Sequence, residues 1–440
     1  MAKLYNLNAA GIDISVKEFV VAVPEDRDSE NVRTFETFTR DIHHLAKWLQ
    51  TCKIDTVAME STGIYWYHLY TVLLDYGFEV FLVNASHVKN VPGRKSDVND
   101  AQWLQELHTD GLLRACFQPD NLTRSLRNYV RQRKNIIQQM TSEIQRMQKA
   151  LEQMNIKLNN VIRDITGKTG FAIIKAILEG ERDPNQLSSL RDRRIKASRE
   201  IIKKSLEGNW REEQIFNLQL AYDHYFFLQQ QLTSCDMRSK AILEIMTQET
   251  NLQESEKKSK RKTKKNEVRF DAGNYLYQAL GVDTTQIYGI QEITALTVLS
   301  ETSVNLKEKF PTEKQFLKWL NLVPDNKITG GKVISSKVKK RKNKAGQAFR
   351  NAASSQWKAH NPIGDYLRGK KAKAGGKQAV IATAKKLASI YYKLVTQKVE
   401  FNPDILLKNS EVSLKKKLEK LNKMKQKIEN ELLASQSLVI

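Results

Sequence analysis

Residues 10–23 read AGIDISVKEFVVAV, two short runs of alternating apolar residues on either side of Val16 and Lys17. Such alternation puts every second side chain on one face of a strand, and the polar break between the runs marks a hairpin. The next hundred residues fix the class of the sheet. Residues 41–51 carry Ile42, Leu45, Trp48 and Leu49 on one helical face, and 54–59 make a short apolar strand that ends at Glu60. Residues 64–75 then read as a helix, 79–83 as a strand and 97–108 as a helix. Strands alternating with helices give a mostly parallel sheet covered by helices, so the first 120 residues are expected to be an α/β domain.

Composition narrows the function. The chain has 440 residues with 72 Lys+Arg against 49 Asp+Glu, a net charge of +23. That excess is more than solubility requires and points to a polyanionic partner, above all nucleic acid. Forty per cent hydrophobic residues suffice for ordinary cores, which excludes a wholly disordered chain. No stretch approaches the roughly 18 uncharged apolar residues of a membrane span, and MAKLYNLNAAGID lacks the apolar run of a secretory signal. Cys52, Cys116 and Cys235 are far apart and odd in number, which fits a reducing cytoplasm and no disulfide framework or Cys-based zinc site.

Beyond the α/β segment the period changes. Leu126, Val130, Arg133, Ile137, Met140, Ile144, Met147, Leu151, Met154 and Leu158 alternate spacings of four and three, with Arg133 the only break. This is a coiled-coil pattern, and a second long helix from about 210 to 247 is expected to return antiparallel against it. Residues 121–250 thus read as a helical assembly region and 251–274 as a Lys-rich linker. Residues 275–400 read as a mainly helical domain, and 401–440 as a Lys-rich helical tail. In the helical domain, 288–301 (YGIQEITALTVLSE) looks like the turn and second helix of a helix-hairpin-helix.

Two groups of residues carry chemistry. Asp13 lies inside an apolar strand, where a carboxylate is costly unless it meets a cation or a sheet edge. Glu60 closes another strand, at the end where α/β sheets place ligands. Asp97 and Asp100, three apart at a helix start, share a face. Four carboxylates gathered together would need divalent cations, and hard oxygen ligands suit Mg²⁺ or Mn²⁺. Such ions activate a nucleophile and stabilise the leaving oxygen of a phosphodiester. Taken singly, each acid is more often a helix cap or a salt-bridged surface group, and Asp97 in particular reads as an N-cap. The second group is 322–336, LVPDNKITGGKVISS, where Thr329 precedes Gly330-Gly331 in a segment (327–350) with nine Lys/Arg and no acid. A hydroxyl among cations is placed to attack a phosphodiester, although a Thr-Gly-Gly turn is also common between strands. Ser335 and Ser336 are alternative hydroxyls. Lys332, Lys337, Lys339, Lys340, Arg341, Lys342, Lys344 and Arg350 are the candidate nucleic-acid contacts.

Together these residues resemble the DEDD-type transposases of insertion sequences, a group related to pilin-gene-inverting recombinases and known as bridge-RNA-guided recombinases. At the front the resemblance rests on GIDISVKEFVVAV, VAMESTGIYWYHL and VPGRKSDVNDAQWLQELHTDGLL. In the middle it rests on DITGKTGFAIIKAILEGERDP and GNWREEQIF, and at the back on IYGIQEITALTVLSE and NKITGGKVISSKVKKRKNKAGQAFRNAA. It implies a ribonuclease-H-like (Holliday-junction-resolvase-like) N-terminal domain, a coiled coil for assembly and a C-terminal transposase domain. The four acids fall on Asp13, Glu60, Asp97 and Asp100. The nucleophilic serine before the paired glycines falls on Thr329, a departure that keeps the hydroxyl but adds a methyl group restricting χ1. Gln291 likewise stands where the family usually has a second glycine after Gly289.

The resemblance further implies donor and target DNA, a guide (bridge) RNA, and a homodimer assembling to a tetramer in the cytoplasm, associated with the nucleoid. It implies strand exchange through a covalent phospho-enzyme and a Holliday junction. Two other readings of the same residues stay open. One is a Mg²⁺-dependent junction nuclease that uses only the carboxylates; the other is an inactive nucleic-acid-binding copy.

Overall fold

The computed structural model describes residues 5–84, 88, 100–248, 266–338 and 343–404, and, in the tail, 406, 415, 418–419 and 421–430. The chain divides into two compact units, Met1–Gln118 and Pro119–Ile440, each described by itself.

The first unit begins with the expected hairpin, β1 (Ala9–Ile14) and β2 (Glu18–Ala22), followed by β3 (Val32–Glu36). Then come α1 (Thr39–Thr51), β4 (Thr56–Glu60), α2 (Trp66–Asp75), β5 (Glu79–Val83) and α3 (Asp100–Thr109). The strands form one sheet in the order β3-β2-β1-β4-β5. β2 runs antiparallel to both its neighbours, and β1, β4 and β5 are parallel. Residues Ile12, Met59 and Val57 face α1 and α2, where Ile42, Leu45, Leu49, Leu69 and Leu73 complete a dry core. The opposite face, carrying Ala58 and Val83, is covered by Leu104 and Leu107 of α3. Both faces are therefore buried, which is why β1 and β4 read as near-continuous apolar runs.

The second unit opens with two long helices, α4 (Asn121–Gln153) and, after the short α5 (Leu158–Val161), α6 (Lys168–Leu178), α7 (Pro184–Ser189) and α8 (Arg199–Ser205), α9 (Glu212–Thr247). Pairing of Arg133 with Asp236 and of Glu143 with His224 shows that α4 and α9 run antiparallel. Leu126, Val130, Met140 and Met147 of the sequence repeat are buried, and Met140 and Met147 share one core with Leu218, Leu228 and Leu232 of α9. Arg133, the break in the repeat, is no exception to burial. It is 2 % exposed and its Nε donates to Asp236 Oδ1 (2.6 Å), itself 1 % exposed. Its Nη2 also donates to the Asn266 carbonyl (3.1 Å), and Asp236 Oδ2 accepts from the Arg269 amide (3.2 Å). One buried polar knot thus joins both long helices to the segment after them.

The rest of the unit is α10 (Ala272–Leu280), α11 (Glu292–Thr302), α12 (Leu306–Lys309), α13 (Glu313–Trp319), a hairpin of β6 (Pro324–Thr329) and β7 (Lys332–Val338), then α14 (Lys344–Ser354), α15 (Pro362–Ala374) and α16 (Gly376–Gln397). Its core is aromatic: Phe316, Phe349 and Tyr391 are fully buried. Glu301 of α11 accepts from Nε and Nη2 of Arg131 (2.8 and 2.7 Å), tying α4 to the C-terminal helices. In the helix-hairpin-helix-like segment Gly289 has φ +85°, and a Cβ there would lie 2.7 Å from Gln356 Nε2. Gln291 instead caps α11 with an extended backbone, φ −107°, which suits any residue and explains why glycine is dispensable at that position.

Among the described residues no helix is long and apolar enough to cross a membrane. Residues 251–265 of the expected 251–274 Lys-rich linker, and most of the tail, lie outside the described residues.

Candidate active site

β1 and β4 are hydrogen-bonded in parallel, with Gly11 opposite Ala58 and Ile12 opposite Met59. The next step along both strands brings Asp13 beside Glu60. Aligned residues of adjacent parallel strands share a face and sit about 5 Å apart, so the two carboxylates are neighbours at the carboxyl end of the sheet. They lie on the Gly11/Ala58 face, under α3. Neither makes an ion pair among the described residues. Glu60 Oε1 accepts the Thr62 hydroxyl (3.3 Å).

The direction of α3 brings the third acid to the same place. Its last residue, Thr109, accepts the Tyr5 and Asn6 amides through its carbonyl, next to where β1 starts. One residue earlier, His108 Nε2 meets Thr56 Oγ1 (2.9 Å) at the start of β4. At its other end α3 lies directly on Gly11: a Cβ there would stand 2.2 Å from the Ala101 carbonyl oxygen and 2.4 Å from the Gln105 nitrogen. The helix therefore runs antiparallel to β1, from Asp100 at the carboxyl edge down to Thr109 at the strand starts. Gly11 is what lets it lie so close, a role for strand glycine where another backbone approaches.

The His108 ring that seats the lower end of α3 is buried, packed on Phe81 with ring centroids 4.5 Å apart. Thr56 Oγ1 donates to the Glu79 carbonyl (3.1 Å), so the His108 Nε2–H donates to Thr56. Burial holds the imidazole neutral, its pKa pulled down to about 4.

Three of the four expected acids, Asp13, Glu60 and Asp100, thus converge on one end of the sheet; Asp97 lies outside the described residues. Among the described residues no three His, Cys, Asp or Glu side chains are closed around a metal-sized space. The donor set nevertheless fits a hard divalent cation: two neighbouring carboxylates that make no ion pair among the described residues, and oxygen donors only.

Thr329 is the last residue of β6 and pairs with Lys332 of β7. Between them Gly330 (φ +54°) and Gly331 (φ +76°) make a two-residue turn with both central residues left-handed, the type I′ geometry that favours glycine. A Cβ on either glycine would meet nothing within 4 Å, so the backbone conformation and not packing calls for them. The register slips between Lys327 and Ile328, leaving Ile334 as an extra residue on β7. Thr329, Lys332, Ser336 and Lys337 are exposed, whereas Ser335 is half-buried. The hairpin offers its hydroxyl at an uncrowded, basic tip.

The remaining basic candidates divide. Lys344 is exposed at the start of α14. Arg350 is half-buried and donates to the Asn321 carbonyl (2.7 Å), with burial lowering its pKa. Lys339, Lys340, Arg341 and Lys342 lie outside the described residues. Sequence reasoning passed over Gly11, whose partner α3 lies some ninety residues away, and the exposed cluster Ile64, Tyr65 and Tyr67 just after Glu60. The crowding of aromatics in IYWY was the signal available for the latter.

A family model for DEDD transposases of the IS110 type matches residues 10–156, from β1 through the first long helix. A second model, described as the transposase IS116/IS110/IS902 family, matches residues 284–367, from the helix-hairpin-helix-like segment through the Thr329 hairpin and α14. Comparison with curated proteins gave no match.

Proposed function

Because the chain belongs to the IS110-type DEDD transposases, we propose that it cuts and exchanges DNA strands at the carboxyl edge of its N-terminal sheet. The observation that carries this is the β1–β4 register, which sets Asp13 beside Glu60 and, through α3, brings Asp100 to the same end. The sheet order, with β2 alone antiparallel, supports a ribonuclease-H-like reading of this unit. Asp13, Glu60, Asp97 and Asp100 would hold Mg²⁺ or Mn²⁺. When bound, the ion supplies neutralisation of the phosphodiester and of the leaving oxygen.

The protein's own part rests on its side chains. The carboxylates would hold the cation in place; without it their charge would repel the scissile phosphate. Thr329 Oγ1 attacks phosphorus, its proton passes to solvent, and the deoxyribose oxygen leaves with the electron pair of the broken P–O bond. Lys332 and Lys337 stabilise the charge that develops. The product is a phospho-threonine link, and strands then exchange through a four-way junction. By family resemblance a guide RNA pairs with donor and target DNA, and dimers assemble to a tetramer; the +23 charge is in keeping with so large a nucleic-acid load.

The test is a suicide DNA substrate that traps the covalent adduct. An adduct that survives denaturation and vanishes in Thr329→Ala is the expected result. Absence of any adduct, with metal-dependent nicking intact in Thr329→Ala, would instead make the protein a junction nuclease that works without a covalent link. No effect of Asp13→Ala on any activity or binding curve would make it an inactive scaffold.

A further inference from the structure

Large apolar side chains exposed one at a time are ordinary, but a cluster beside a reactive edge is not. After Glu60 the chain turns at Gly63 (φ +53°) and projects Ile64, 79 % exposed, then Tyr65 (44 %) and Tyr67 (51 %). The base of this projection is rigid. Trp66 packs edge-on against Tyr70, which is buried, and against Tyr67 (centroids 5.7 and 5.6 Å). The other flank of the same edge carries two more. Val16 (61 %) sits in the β1–β2 turn, and Phe38 (67 %) comes just after β3. Thr37 Oγ1 donates to the Val16 carbonyl (3.3 Å), which joins those two turns. The acids therefore lie between two apolar shoulders, of which the Ile64 side is the more prominent.

These shoulders lie at the same end of the sheet as Asp13 and Glu60, within reach of a nucleic acid whose backbone phosphate meets the acids. We propose that Ile64 is a wedge that enters the base step flanking the phosphodiester held at the acid edge, and that Tyr65 stacks on the base it displaces. Aliphatic wedges unstack and kink nucleic acid in this way, at a cost of a few kcal/mol per step that further contacts repay. Aromatic stacking on a base recovers about 1–3 kcal/mol. The wedge rests on the reading of the acid edge as the cleavage site, and gives that site a means to splay the strand it cuts. Both side chains project from the fold, so truncating them leaves the core untouched.

The test uses the full-length protein with the nucleic acid that co-purifies with it. The probe is a duplex carrying the site the wild type cuts, with 2-aminopurine placed at each step around the cut and Ca²⁺ in place of Mg²⁺. Wild type and Ile64→Leu are expected to raise fluorescence at one flanking step. Ile64→Ala is expected to lose that rise and to cut about tenfold more slowly, with the rate restored when the same step carries a mismatch. Asp13→Asn is expected to keep the fluorescence rise and lose cutting. Cutting retained by Asp13→Asn would overturn the acid edge and the wedge with it. Cutting lost in Asp13→Asn, with the rise unchanged in Ile64→Ala, would overturn the wedge alone. A change in oligomeric state in nucleic-acid-free Ile64→Ala would assign the shoulder to a second copy of the chain, and also overturn it.

Discussion

Replacing Gly11 by alanine should separate the acids without touching any of them. The added Cβ would stand 2.2 Å from the Ala101 carbonyl oxygen and 2.4 Å from the Gln105 nitrogen, whereas ordinary contact begins at 3.4 Å. Both atoms are backbone, so no side chain can swing aside, and α3 must rise from the sheet by about an ångström. Overpacking of this kind costs about 1–3 kcal/mol, which urea unfolding of the isolated full-length protein would read as a lower midpoint. The functional loss should be larger. Asp100 moves with Ala101 while Asp13 and Glu60 stay with the strands, and a shift of about 1 Å at a reacting centre costs about a hundredfold in rate. Gly369→Ala is the control: it lies within α15, meets nothing within 4 Å, and should be neutral or stabilise by up to about 1 kcal/mol. Metal-dependent DNA cleavage by Gly11→Ala at the wild-type rate, with an unchanged midpoint, would refute the close seating of α3 on β1.

Other outcomes are expected from the same contacts. Arg133→Met leaves Asp236 buried without its ion partner and should cost about 3–5 kcal/mol in urea unfolding, whereas Arg133→Met with Asp236→Leu should return most of it; a single variant within about 1 kcal/mol of wild type would contradict this. His108 titrates near 6.5 when unfolded but near 4 when folded, so the unfolded chain binds the extra proton between those values. Its share of stability is therefore complete above pH 6.5 and falls as pH drops toward 4, by about 3 kcal/mol in all. His108→Phe should flatten that part of the stability profile, and an unchanged slope would count against a neutral buried ring. Thr329→Ser, which removes the methyl group but keeps the hydroxyl, should speed adduct formation on a suicide substrate, and a slower reaction would argue that threonine is not the attacking group.

How far the sequence alone reaches depends on the range of each signal. The β1–β2 hairpin was legible because its alternation is local, and the ends of β5 were read to the residue for the same reason. β3, at Val32–Glu36, was not foreseen: it is a half-exposed edge strand whose VRTFE carries no clean alternation. In the long helices the period of α4 gave its buried face, but Arg133 looked like a flaw because its partner Asp236 lies on the returning helix, a hundred residues away. The acids were individually visible as carboxylates at strand and helix ends. Their gathering depends on the β1–β4 register and on Gly11, both long-range facts with no local trace. Thr329 was legible through the glycine pair, since a left-handed two-residue turn restricts the choice of residue wherever it occurs.

The central claim is that Asp13 and Glu60 share one cation at the carboxyl edge of the sheet. The most direct measurement is Mn²⁺ binding followed by electron paramagnetic resonance on the full-length protein, wild type against Asp13→Asn and Glu60→Gln. Each variant is expected to bind Mn²⁺ markedly more weakly than wild type, and the double variant to lose no more ions per chain than either single, because both residues hold the same ion. Wild-type Mn²⁺ affinity in the double variant would contradict the claim outright.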